Sequence, residues 1–77
     1  MPLQLLLRYD SFDRDAHETG TEGRANAGLS QLQLWKEGSG THWALFSVAN
    51  RAKAQDWVDK AEALGQAPTD HHFLETL

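Results

Sequence analysis

The stretch His42 to Gly65, HWALFSVANRAKAQDWVDKAEALG, constrains this chain more than any other, because it reads as a covered strand running directly into a helix. Trp43 to Ala49 is aromatic, aliphatic and β-branched, with no glycine, proline or charge, as suits a pleated and largely buried element. Asn50 then offers an N-cap. Its side-chain oxygen can accept a backbone N–H of the first turn, which stabilises a helix by ~1 kcal/mol relative to Ala. Ala54, Trp57, Val58, Ala61 and Leu64 recur at helical spacing and form one narrow stripe anchored by Trp57, while Lys53, Gln55, Asp56, Asp59, Lys60 and Glu62 face water. Asp56 and Lys60, four apart, suit an exposed pair. Gly65 can take the left-handed conformation that closes a helix, Pro68 prevents its continuation, and Gln66 to Asp70 is a connector.

The remaining segments are read by how they can pair with that strand or cover that helix. Leu3 to Tyr9, LQLLLRY, alternates at the period of a strand and carries Leu on both faces, which places it inside a sheet. Asp10 to Gly28 combines five acidic residues with Gly20, Gly23 and Gly28, and Phe12 is its one large apolar side chain. Short helices around Arg14 to Thr19 or Glu22 to Ala27 fit the composition, but the glycines weaken both. The expectation is a degenerate helical turn within mobile backbone. Leu29 to Glu37 returns to strand period, and Gly38, Ser39 and Gly40 supply a three-residue turn with Gly40 left-handed. His71 to Leu77 reads as a last short strand.

That turn length sets Trp35 opposite Trp43 and Gln33 opposite Leu45. It aligns Leu32 and Leu34 with Ala44, Phe46 and Val48 on a face that receives the helix stripe. The other face then carries Gln31, Gln33, Trp35, Trp43, Leu45 and Ser47. A one-residue slip would scramble this division.

The order strand, weak helix, strand, strand, helix, strand gives a single α+β domain over residues 1–77. It has a four-stranded, mainly antiparallel sheet with the first strand between the third and fourth, and the last strand parallel to the third. The arrangement is β(α)ββαβ and resembles the ferredoxin-like split βαβ fold. Small bacterial domains of this kind, including the dimeric α/β-barrel group, are similar in element order along the whole chain. The resemblance implies helices on one sheet face and a second subunit or a ligand on the other.

Size and charge narrow the function classes. A chain of 77 residues without cysteine has no disulfide or zinc-ribbon staple. A domain this small buries only about 60% of its unfolded surface, so association is a common source of added stability. Seven Lys and Arg against eleven Asp and Glu, with no basic run, argue against a nucleic-acid partner. No segment is apolar for long enough to serve as a signal-peptide core or a membrane span, so a soluble cytoplasmic protein is expected.

No catalytic signature stands out. Asp13, Asp15 and Glu18 fail as a calcium loop, because Glu18 stands where the turning Gly is needed and Arg24 where the bidentate carboxylate is needed. Ser30 and Ser47 lack a nucleophile-elbow context, and the glycines at 20, 23 and 28 match no phosphate loop. His71 and His72 point to opposite faces of a strand, so with His17 they are only weak metal candidates, and no metal or cofactor is expected. The favoured reading is a non-enzymatic homodimer formed through the Trp-bearing face, with Gln31, Gln33, Trp35, Trp43 and Leu45 as interface or small-ligand residues. The alternative is a small enzyme or metal-dependent binder built from His17, Glu18, Asp70, His72 and the carboxylates of the 10–28 segment.

Overall fold

The computed structural model describes residues 2–65 and 67–77. The elements are β1 (Leu3–Tyr9), α1 (Arg14–Thr19), α2 (Thr21–Asn26), β2 (Leu29–Glu37), β3 (Thr41–Val48), α3 (Arg51–Ala63) and β4 (Asp70–Glu75). The strands form one sheet in the order β2-β3-β1-β4, and every hydrogen-bonded pair is antiparallel. β3 and β4 both oppose β1, so they run parallel to each other with α3 as the connection between them. This is the α+β arrangement that the order of elements predicts, with β1 inside the sheet.

Leu5 and Leu7 hold the centre. Leu5 lies between Phe46 on β3 and Phe73 on β4, and Leu7 lies between Ala44 and His71. Both are fully buried, together with Phe46, Ala44, Ala54 and Val58, and Leu29 joins the same cluster. Each buried Leu contributes about 1.5–3 kcal/mol through removal of apolar surface from water. Ala54 and Val58 deliver α3 to this cluster, and Asn50 caps it as expected, Oδ1 accepting from the Lys53 N–H at 3.1 Å. Lys60 and Asp56 pair at 3.0 Å on its outer face.

Leu64 departs from the predicted stripe. The helix ends at Ala63, Leu64 is its C-cap, and its side chain is 72% exposed. Gly65 turns the chain away at φ 71°. Of the expected connector, Gln66 lies outside the described residues, and Pro68 is buried.

Three corrections concern β2 and the segment before it. The hairpin has the expected three-residue turn, with Glu37 paired to Thr41, but the left-handed residue is Gly38 (φ 63°) and not Gly40. The chain makes its sharp reversal on leaving β2, so the first turn residue needs the positive φ. Trp35 does face Trp43, and Gln33 faces Leu45, but Gln31 pairs with Phe46 because Leu32 is an extra, unpaired residue in a β-bulge. The bulge reverses the faces upstream of it. Leu29 thereby enters the core at 3% exposure, Gln31 moves to the helix side, and Leu32 is left 51% exposed.

The 10–28 segment is more ordered than a degenerate turn: it forms two six-residue helices. Asp13 caps α1 by accepting from the N–H groups of Asp15 and Ala16. Phe12 stacks on His42 with ring centroids 4.2 Å apart, fastening the segment to β3.

Since Leu5 sits between two aromatic neighbours and cannot be replaced by solvent, Leu5→Ala is expected to lower unfolding free energy by about 2–5 kcal/mol. Urea denaturation of the purified variant measures this, and a loss below about 1 kcal/mol would contradict the packing described.

Candidate functional site

Side chains alternate across each strand, so the register sorts the sheet into two surfaces. Phe46, Leu5, Leu7 and Ala44 share one surface with all three helices: α3 packs there through Ala54 and Val58, and Arg24 of α2 lies 5.6 Å from the Phe46 ring centroid. The opposite surface consists of cross-strand rows. One row is His72, Leu6, Leu45 and Gln33, and the next is Asp70, Arg8, Trp43 and Trp35. A more polar row, Leu74, Gln4, Ser47 and Ser30, flanks the first.

Neither available segment covers this surface. The acidic 10–28 segment, the longer of the two, folds on the helix side. The C-terminal residues continue along the β4 edge, where Thr76 donates its hydroxyl to Gln4 Oε1 at 2.6 Å, and Leu77 is fully exposed. The Trp35 side chain remains 44% exposed and Leu74 43%. Trp43 is half-buried, and its indole N–H donates to Glu37 Oε1 at 2.8 Å across the hairpin.

Charge on this surface lies on β1 and β4 and beside the hairpin turn. Arg8, on β1 next to Trp43, has its Nε 3.5 Å from Asp10 Oδ1, and His72 Nε2 stands 3.3 Å from Asp70 Oδ2. Leu6, Leu45, Trp43, Trp35 and Gln33 form an adjoining uncharged patch that reaches the β2 edge. Aromatic side chains and arginine are enriched at protein interfaces relative to ordinary surface. Of the five residues singled out from the sequence, Gln33, Trp35, Trp43 and Leu45 converge here. Gln31 does not, because the bulge turns it to the other side, so Gln33 is left as the amide that could orient a ligand on this surface.

The histidines named as metal candidates are dispersed. His71 faces the helix side beside Phe73, and His72 faces the open side. His17 is bonded to Gln31 on the opposite edge strand, Nε2 donating to Oε1 at 2.7 Å. Three strand spacings, about 14 Å, separate the two edges. Among the described residues no three His, Asp or Glu side chains are grouped so as to hold a metal ion.

The helix side holds a second arrangement, which includes His17, Glu18 and Gln31 of the sequence candidates but is centred on Arg24, which sequence reasoning missed. Arg24 is buried at 6% exposure, and its Nη2 donates to the His17 carbonyl at 2.6 Å and to Thr21 Oγ1 at 3.3 Å. Two cavities, of about 420 and 650 Å³, flank the α1 and α2 pair, and both are lined by Arg24 and His17. Burial lowers the Arg24 pKa from its ordinary value and raises that of Tyr9, while the charges of these two neighbours act in the opposite sense. No local sequence signal marks Arg24, whose surroundings are tertiary; Gly20 packs close to it, since a Cβ there would come within 2.9 Å of Arg24 Nη1.

Burial also pulls the His17 imidazole below its ordinary 6.5. The Gln31 hydrogen bond opposes that shift, the Arg24 charge adds to it, and Glu18 opposes it. In the window between the folded value and 6.5 the unfolded chain holds more protons, so this group withdraws stability as pH falls through 6.5 until the folded imidazole is itself protonated. The expected result is an NMR titration midpoint for His17 below 6.5, and a urea midpoint that falls less between about pH 7.5 and pH 5 in His17→Gln than in the parent.

No protein-family model, curated protein or solved structure matches this chain. Among the described residues no helix is long and apolar enough to cross a membrane.

Proposed function

We propose that this protein is a non-enzymatic association domain whose working form is a homodimer, with the Trp35 and Trp43 surfaces of two copies packed against each other. The observation that carries this reading is a sheet face bearing two adjacent indoles that none of the chain's own helices covers. A contiguous patch of this kind is larger than isolated exposed apolar residues and is characteristic of contact sites.

One feature favours a second copy of the same chain as the cover. The charged side chains of this face carry both signs, Arg8 against Asp10, Glu37 and Asp70, so a two-fold axis can set opposite charges together. The protein as a whole is acidic, at minus four, and a uniformly acidic face would instead repel its own copy.

Native mass spectrometry and sedimentation equilibrium on untagged protein test the reading. The expected mass is twice 8.6 kDa. Trp35→Ala and Trp43→Ala should each weaken the dimer about tenfold or more, corresponding to about 1.4 kcal/mol, with circular dichroism unchanged. A parent protein that stays at one subunit up to its solubility limit would refute the homodimer, as would two Trp variants that dimerise as tightly as the parent.

A further inference from the structure

We infer that the 650 Å³ cavity between α1 and α3 is a binding site for a small monocarboxylate with an aromatic or branched apolar body, held through its carboxylate by Arg24. This site lies on the helix side of the sheet and is independent of the dimer.

Arg24 is the anchor. It is the buried charged side chain of the described residues, and none of their carboxylates comes within ion-pair distance of it. A guanidinium has five donor hydrogens in a planar fork. Nη2 uses its own on the His17 carbonyl and the Thr21 hydroxyl. Nη1 lies near Gly20, which lines the cavity with Arg24, and among the described residues the Arg24 hydrogen bonds are made by Nη2, so the second arm of the fork is available to a ligand. A buried cation without a counter-ion is costly, and a bidentate carboxylate is the partner its geometry fits best.

The rest of the lining selects the body of the ligand. Tyr9, Phe12, Trp57, Ala61 and Leu64 provide aromatic and aliphatic walls. Asp13 is the cavity's own carboxylate; it makes no ion pair with Arg24, and its Oδ1 accepts from the Asp15 and Ala16 N–H groups. Lys60 at the rim adds a second positive charge, although it is shared with Asp56. The volume lies in the usual range of small-molecule sites, about 300–1,000 Å³. Arg24 engages one carboxylate and the aromatic and aliphatic walls favour an apolar body, which disfavours neutral sugars as ligands.

Phenylacetate and hexanoate are suitable probes, with phenylacetamide as the neutral counterpart. Calorimetry gives affinity, and the indole N–H resonances of Trp35, Trp43 and Trp57 report the location, since only Trp57 lines this cavity. At least one carboxylate is expected to bind saturably, shifting Trp57 and sparing Trp35 and Trp43, with phenylacetamide about tenfold or more weaker than phenylacetate. Arg24→Gln should bring phenylacetate down to the level of the amide. Should that variant fail to fold, Ala61→Phe, which adds bulk at the cavity wall and leaves the guanidinium in place, should abolish binding while retaining fold and oligomer mass. The inference is overturned if neither carboxylate binds, if phenylacetamide matches phenylacetate, if Ala61→Phe binds as the parent does, or if the shifts fall on Trp35 and Trp43. Loss of the dimer alone leaves this outcome unaffected, so the two proposals fail separately.

Discussion

Leu5 and Leu7 reach the interior from β1, and the positions of the other elements follow from what these two side chains touch. Because β1 pairs on both sides, its inward residues meet β3 through Phe46 and Ala44 and β4 through Phe73 and His71. α3 connects those two outer neighbours, so its Ala54 and Val58 fall directly over the same row. A helix of 13 residues is about 20 Å long, enough to return the chain from the end of β3 to the start of β4. The split arrangement is therefore a consequence of one strand being apolar on the inward face and flanked by two strands running the same way.

The bulge at Leu32 extends this core by one more side chain. Strict alternation from Trp35 back to Leu29 would put Leu29 on the same surface as the indoles and Ser30 toward the helices. One extra residue reverses both, burying Leu29 and leaving Ser30 opposite Ser47 on the open side. The exposure of Leu32 offsets part of that gain. Bulges of this type are common on edge strands, where they twist the strand away from simple edge-to-edge pairing. β2 is such an edge, and among its residues Leu29 alone is buried.

Local features of this fold, and the strand order that follows from element order, are legible in the sequence, whereas contacts that only the packed core decides are not. The extent of β1, the N-cap at Asn50, the left-handed Gly65 and the facing indoles of Trp35 and Trp43 depend on period, capping chemistry or turn length, all of which act over a few residues. The bulge escapes such reasoning because Leu29, Leu32 and Leu34 satisfy either register, and only the core decides between them. Gly38 and Gly40 are equally able to adopt a positive φ, so residue type cannot choose. Composition allows the helices α1 and α2 at nearly their observed positions, but it cannot show that both are held, since their fastening is tertiary: Arg24 over Phe46, Phe12 on His42, and His17 to Gln31. For the same reason Arg24 looks like an ordinary surface charge until Phe46, 22 positions later, is brought beneath it.

In a lone subunit the sheet face and the buried guanidinium are both incomplete, and they are incomplete in different ways. Native domains retain only about 5–15 kcal/mol of net stability, and a chain of this size sits low in that range. An uncovered apolar face forgoes stabilisation without opposing the fold. A buried charge without a counter-ion opposes it directly, although the carbonyl of His17 near the C-terminal end of α1 and the face of Phe46 each compensate part of the cost. Whatever binds the folded state alone adds RT ln(1 + [L]/Kd) to its stability, whether a second copy on one side or an anion on the other. Cover for the face makes stability depend on protein concentration, whereas a counter-ion for Arg24 makes it depend on ligand concentration. The two dependences are physically separable because the sheet itself, one residue thick, stands between the surfaces that generate them.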